Sequence, residues 1–262
     1  MKIGIDCGHT QYRGSYDYGA VGIRPESDLT REVGNLVILK LRQLGHTVIN
    51  CTVDTCTSLS DSLGRRVLVA NNNNLDFYVS IHFNCFNSQA HGTEVFTYGR
   101  KSYKQANNIL NNLVALGFTN RGIKDGSGLY VIGNTNCEAM LVEVCFCDNQ
   151  SDMNIYNAEK VANAIVCGLT GQTVENNPIK SHRNVVVYNN DVDKRAAEYL
   201  NDWLNVNKQD AILVHKKDYK VGIGRSVYAV GGGLDDIKAN VYLKGSDRFD
   251  TLKKVIKRIG LC

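Results

Sequence analysis

No apolar run in this 262-residue chain approaches the ~18 residues that a membrane-spanning helix needs. Its opening, MKIGIDCGH, is an alternating strand pattern without the basic, apolar and small-residue regions of a secretion signal. The expectation is a protein made in the cytoplasm, with no membrane insertion. The nine cysteines include no CxxC pair and no zinc-finger spacing, and an odd number cannot all pair within one chain. They read as small core residues and free thiols of a reducing compartment, not as a disulfide scaffold. Proline is nearly absent: of the two, Pro178 falls in the polar stretch GQTVENNPIKSH at residues 171–182. There is no internal repeat and no phosphate-loop or dinucleotide fingerprint; Gly231, Gly232 and Gly233 lack the flanking residues and read as a turn.

What remains is 43% hydrophobic and 21% charged, a composition that excludes the disordered, collagen-like and coiled-coil classes. The net charge of +4 is unevenly spread: residues 1–175 hold 14 basic and 16 acidic side chains, and residues 176–262 hold 16 and 10. A slightly acidic body followed by a basic region indicates two domains, the second meeting something anionic. With the proline-bearing stretch as linker, the division is 1–172, 173–182 and 183–262.

Strands and helices alternate along the first domain. Ile3 and Ile5 mark a strand, Leu29, Val33, Leu36, Val37, Leu41 and Leu44 a helix, and GHTVIN a second strand. A helix through Leu63, Val67 and Ala70 leads to the strand DFYVSIH. Another, through Ala106, Ile109, Leu113 and Leu116, follows a strand near GTEVF; AMLVEVCF is a buried strand, and residues 161–169 form the last helix. The pattern predicts an α/β fold with a mostly parallel sheet and helices on both faces. Sites in such sheets lie outside the carboxyl ends of the strands.

Three polar residues sit there. His9 closes the first strand and His82 closes DFYVSIH. Glu143 interrupts AMLVEVCF, where Ala139, Leu141, Glu143 and Cys145 share one face and Met140, Val142 and Val144 the other. A carboxylate in an apolar strand is costly unless it is paired, protonated or beside a metal. Two histidines at strand ends with a nearby acid suit zinc, which in hydrolytic sites takes three protein ligands and leaves a position for water. Three acids compete for the third place: Glu26, in a loop able to fold back over the site; Glu32, one turn into the first helix and facing solvent; and Glu94 in GTEVF. Glu26 is preferred. His46, in LGHTV at the opposite end of the sheet, is structural, and His91 is a weaker ligand candidate. His182 and His215, in the basic region, have no acidic or cysteine partner in register. A Cys/His nucleophile from Cys7 with His9, or Cys85 with His82, is disfavoured because adjacent strand residues point to opposite faces.

DCGH at residues 6–9, Glu26 before an amphipathic helix, residues 66–71 leading to SIHFN, RGIK and GLYVI within 121–132, and MLVEVCFCDN at 140–149 resemble, in the same order, the zinc-dependent N-acetylmuramoyl-L-alanine amidases. The style is closest to endolysins of phages of Gram-positive anaerobes, and the resemblance spans residues 1–170. Position by position it implies His9, Glu26 and His82 as zinc ligands and Glu143 as catalytic acid/base. Cys7 stands where the family often has proline, and Thr10 where a glycine often follows the histidine. The implied reaction cleaves the amide between N-acetylmuramic acid and L-alanine of peptidoglycan, after release from the host cytoplasm through a membrane lesion. An open groove is expected, with Gly19, Gly22, Gly126 and Gly128 in loops lining it.

In the second domain, VYNNDVDKRAAEYLNDWL, AILVHKKDY, SVYAVGGG and GSDRFDT resemble the wall-binding domains of clostridial-type endolysins. That resemblance implies a small α/β wall-binding domain; the expected partners are peptidoglycan and, from the basic charge, an anionic wall polymer, with homo-oligomers through this domain and no nucleic acid. The residue pattern predicts a helix with Phe249, Leu252, Val255, Ile256 and Ile259 on its core face and Lys253, Lys254, Lys257 and Arg258 outward. The competing functional readings are a zinc peptidase acting on the stem peptide and a non-catalytic wall-binding protein.

Overall fold

The structure is a computed structural model that describes residues 1–173, 182–219 and 223–260. The chain forms two compact units, residues 1–175 and 176–262. Residues 174–181 of the expected linker, and Cys262, lie outside the described residues.

In the first unit the order is β1 (Lys2–Cys7), α1 (Glu26–Gln43), β2 (Thr47–Asn50), α2 (Leu59–Asn71), β3 (Phe77–Asn84), β4 (Thr93–Thr97), α3 (Lys104–Ala115), β5 (Asn120–Asp125), α4 (Tyr130–Gly133), β6 (Glu138–Phe146), α5 (Gln150–Ile155) and α6 (Ala158–Thr170). Helix α1 starts directly after Pro25, with Glu26 and Asp28 in its first turn and Lys40 and Arg42 in its last, so its charges oppose the helix dipole at both ends. Helix α2 is capped by the Ser58 side chain, which accepts from the Asp61 N–H at 3.0 Å.

The six strands lie in the order β2-β1-β3-β6-β4-β5. β2, β1, β3 and β6 are mutually parallel, β4 is antiparallel to β6, and β5 is parallel to β4. Strand alternation separates two cores. Ile3, Ile5, Ile81 and Val142 meet Leu29, Val33, Ile109 and Ile165 from α1, α3 and α6. Tyr78, Ala139 and Leu141 meet Val67, Ala70 and Ile132 from α2 and α4 on the other face. The fold is thus α/β, mostly parallel and covered on both faces, as expected.

Three details differ from the expectation. The register between β3 and β6 shifts between His82 and Asn84, and Cys145 consequently joins Val144 in the first core instead of sharing the face of Glu143. Strand β5 is an addition to the expected strands: NRGIKD is an edge strand with no buried alternation to signal it. Since β5 runs opposite to β3 and β6, the Gly126 and Gly128 that follow it lie at the other end of the sheet from His82, not beside a groove at the site.

The second unit contains β7 (His182–Tyr188), α7 (Asp191–Val206), β8 (Ala211–His215), β9 (Gly224–Val230), β10 (Val241–Leu243) and α8 (Arg248–Arg258). Its strands are all parallel, in the order β10-β9-β7-β8. Helices α7 and α8 bury Ala197, Leu200, Leu204 and Val255 against Val186, Tyr228 and Val230. Lys253, Lys254, Lys257 and Arg258 are exposed. Phe249 is a correction: it is 62% exposed, lying in the first turn of α8 against the Arg248 guanidinium at 4.8 Å, while Thr251 takes the buried position. Among the described residues no helix is long and apolar enough to cross a membrane.

Candidate metal centre

Three elements bring three donors to one place. β1 ends at Cys7, and His9 follows two residues beyond it in left-handed backbone at φ 64°. That conformation is costly outside glycine. Two buried arginines hold it: Arg31 of α1 and Arg66 of α2 each donate to the His9 carbonyl at 2.6 Å. Glu26 is the first residue of α1 rather than part of a loop, a position where the helix dipole favours a carboxylate. His82 lies inside β3, two residues before its end.

His9 Nε2 is 3.2 Å from Glu26 Oε2, and His82 Nδ1 is 3.1 Å from Glu26 Oε1. The three donor atoms lie within 4.8 Å of one another, the one such group among the described residues. Two glycines permit this approach. A Cβ at Gly8 would fall 2.4 Å from the His82 ring, and one at Gly19, whose φ is +83°, would fall 2.6 Å from the His9 ring.

The donor set fits zinc. Ligands at ~2.05 Å from a tetrahedral ion stand about 3.3 Å apart, close to both histidine-to-glutamate gaps. The nitrogen of His9 that faces away from Glu26, Nδ1, is 2.7 Å from Asp17 Oδ1, the outer-shell carboxylate that such histidines ordinarily have. Asp17 is fixed in turn by Ser62 Oγ at 2.5 Å and by Arg66 at 3.6 Å.

Charge in the cluster is strongly coupled. Burial opposes protonation of His9, but hydrogen bonds to Asp17 and Glu26 outweigh it and lift the pKa to about 9. Burial likewise opposes ionisation of Glu26, yet His82 and His9 hold its carboxyl well below the usual range. Two histidines sharing one buried anion form a site that a divalent cation can enter by displacing protons.

Glu143 stands beside this cluster. It is the register partner of His82 across the parallel β3–β6 pair and of Glu94 across the antiparallel β4–β6 pair. Its Oε2 is shielded from solvent with no hydrogen-bond partner among the described residues. Burial, then the charges of Glu26 and Glu94, push its pKa well above that of an ordinary glutamate.

The other candidates are placed elsewhere. Glu94 accepts from Asn84 Nδ2 at 2.8 Å and pairs with Arg121 at 3.1 Å, and Glu32 is engaged by Arg24 at 2.8 Å and Tyr156 at 3.0 Å. His46 lies in the turn before β2, at the opposite end of the sheet, and His91 is exposed, with Nδ1 3.1 Å from the Gln89 carbonyl. His182 has an acidic partner after all, Asp210 at 3.0 Å, because the loop before β8 folds beside the start of β7. His215 Nε2 contacts the Asn189 carbonyl at 2.9 Å.

Sequence reading missed the support beneath His9. Asp6 is 1% exposed and accepts from Arg66, from Tyr78 Oη at 2.7 Å and from Ser80 Oγ at 2.8 Å. The signal that singled out Glu143, a carboxylate inside an apolar strand, applies equally to Asp6 in KIGIDC. Arg66, on the face of α2 that carries Val67 and Ala70, is its natural partner.

Residues 3–171 match the model of the N-acetylmuramoyl-L-alanine amidase family. An uncharacterized protein of Clostridium perfringens (strain 13 / Type A) is 38% identical over 162 residues, covering 60% of this chain and 47% of that one. The germination-specific N-acetylmuramoyl-L-alanine amidase of Bacillus subtilis (strain 168) is 32% identical over 188 residues, covering 64% and 77%. The solved catalytic domain of an endolysin targeting Clostridia difficile is 26% identical with a TM-score of 0.61, covering 67% of this chain and 99% of that one. The chain spans about half the length of the Clostridium perfringens relatives it matches.

Proposed function

The chain belongs to the N-acetylmuramoyl-L-alanine amidase family, and from that premise we propose that its first unit is a zinc-dependent peptidoglycan hydrolase. It cuts the amide between the lactyl group of N-acetylmuramic acid and L-alanine of the stem peptide. The observation that carries this reading is the convergence of His9, Glu26 and His82 beside the proton-retaining Glu143.

His9, Glu26 and His82 would hold the zinc, which when bound polarises a carbonyl and acidifies water. Asp17 accepts the Nδ1 proton of His9 and so presents Nε2 to the site. Arg31 and Arg66 hold the His9 backbone in its left-handed conformation. Glu143, whose raised proton affinity a positive charge held by the neighbouring donors would lower, takes in its carboxylate form the proton of the attacking water and passes it to the departing amine nitrogen.

We assign the whole protein the role of a phage endolysin that lyses a Gram-positive host, made in the host cytoplasm and acting on the wall after release. Likeness to an endolysin catalytic domain supports that role. The second unit is assigned as a wall-targeting module, supported by its excess of basic residues and by the exposed Lys253, Lys254, Lys257 and Arg258. The deciding experiment is mass spectrometry of purified wall digested with zinc-loaded protein. Stem peptides with a new L-alanine amino terminus support the amidase; new amino termini at other residues replace it with a peptidase; and no release by protein of full zinc content rejects hydrolysis.

A further inference from the structure

Beyond the metal donors, β3 and β6 continue side by side and each carries a cysteine to the next position. Asn84 pairs with Phe146 in register, and the Cys147 N–H donates to the Asn84 carbonyl at 2.7 Å. Cys85 and Cys147 are therefore neighbours across the strand ends, and each side chain lies near enough to perturb the titration of the other. Neighbouring strands lie ~4.8 Å apart, within the roughly 4.4–6.8 Å of Cα separation that a disulfide spans.

The two thiols differ in access. Cys85 is exposed and Cys147 is fully buried. The backbone of Cys147 is pinned, its carbonyl accepting from the Ile23 N–H at 2.8 Å. An oxidant in solution meets Cys85 first, and Cys147 stands directly behind it across the strand pair.

We propose that Cys85 and Cys147 form a redox-modification site, with Cys85 attacking a low-molecular-weight disulfide and Cys147 resolving the mixed disulfide into an intrachain bridge. The Cys85 thiol gives its proton to solvent base, and its sulfur breaks the S–S bond of the small disulfide, releasing one thiol. The Cys147 sulfur then attacks Cys85, its proton passing to the departing sulfur, and the second small thiol is released. The protein pair is oxidised by two electrons and the small disulfide is reduced by two, with one S–S bond lost and one gained. Proximity supplies the high effective concentration that the buried resolving thiol needs.

The bridge is also reversible. Its reversal needs only an external thiol that can reach the exposed Cys85 sulfur. The bridge would tie together the strand ends that carry His82 and Glu143.

The full chain is treated with oxidised glutathione at mildly alkaline pH, quenched by alkylation and mapped by mass spectrometry. The expected product has lost two hydrogens and yields a linked peptide joining Cys85 to Cys147, and dithiothreitol restores two alkylatable thiols. Cys85→Ser abolishes the linked peptide. Cys147→Ser leaves Cys85 carrying one glutathionyl group, which separates attack from resolution. A stable glutathionyl group on Cys85 of the unaltered chain, a bridge between other cysteines, or an unreacted Cys85 overturns the proposal. The readout is covalent mass and does not depend on hydrolytic activity.

Discussion

Arg66→Met tests whether the charges beneath His9 hold the site. Arg66 is 1% exposed and donates to the Asp6 carboxylate, to the Cys7 carbonyl at 2.9 Å, to the His9 carbonyl at 2.6 Å and to the Val53 carbonyl at 3.2 Å. Methionine fills much of the same volume but donates nothing, so the loss is electrostatic. Asp6 keeps the hydroxyls of Tyr78 and Ser80 but becomes an unpaired buried anion. Orphaning a buried charge costs about 3–5 kcal/mol. For a unit of this size, at ~2–4 °C per kcal/mol, the melting temperature falls by roughly 10 °C. Scanning calorimetry reads the transition. Fluorescence of Trp203, the sole tryptophan, identifies the transition of the second unit, where it sits in α7. The double variant with Asp6→Asn supplies the decisive comparison. With the anion gone, Arg66→Met costs below ~2 kcal/mol, so the two changes are non-additive. A single-variant loss under ~1 kcal/mol, or strict additivity, would refute the claim that the Asp6–Arg66 pair carries the network.

Glu143→Gln keeps the shape of the strand but cannot accept the water proton, so stem-peptide release from purified wall falls by about 10²–10⁴-fold while zinc content, measured by atomic absorption, is unchanged. His82→Ala removes one of three donors; both zinc content and hydrolysis fall to background, and a normal zinc content would show that the cluster is not the metal site. In metal-stripped protein the His9 pKa is raised from 6.5 to about 9, so the stability gained from its charge is full below ~6.5 and lost as pH rises through about 9. Denaturation midpoints across that window should decline for the unaltered chain and much less for Asp17→Asn, which lacks the anion that His9 faces.

The sequence made legible those features in which local pattern and burial agree. Alternation in KIGIDC and DFYVSIH and the stripe of Leu29, Val33, Val37 and Leu41 specify a sheet covered by helices, because each element has a face to bury. His9, His82 and Glu143 were visible since polar groups at strand ends or inside apolar strands stand out against that pattern, and the structure brings Glu26 to the two histidines. Strand β5 was invisible because an edge strand is held by backbone pairing with β4 and needs no apolar alternation. The register shift after His82 was equally hidden, since a bulge is a property of two strands together.

Asp17, Arg31 and Arg66 were missed for a third reason. Each is polar and unremarkable in its own segment, and each acquires a role only when β1, α1 and α2 meet behind His9. The left-handed backbone of His9 links these levels. Hydrogen bonds to its carbonyl from two helices hold a conformation that β1 alone would not adopt, and that conformation turns the imidazole toward Glu26. The donors of this centre are thus fixed less by their own strands than by buried charge recruited from helices on both faces of the sheet.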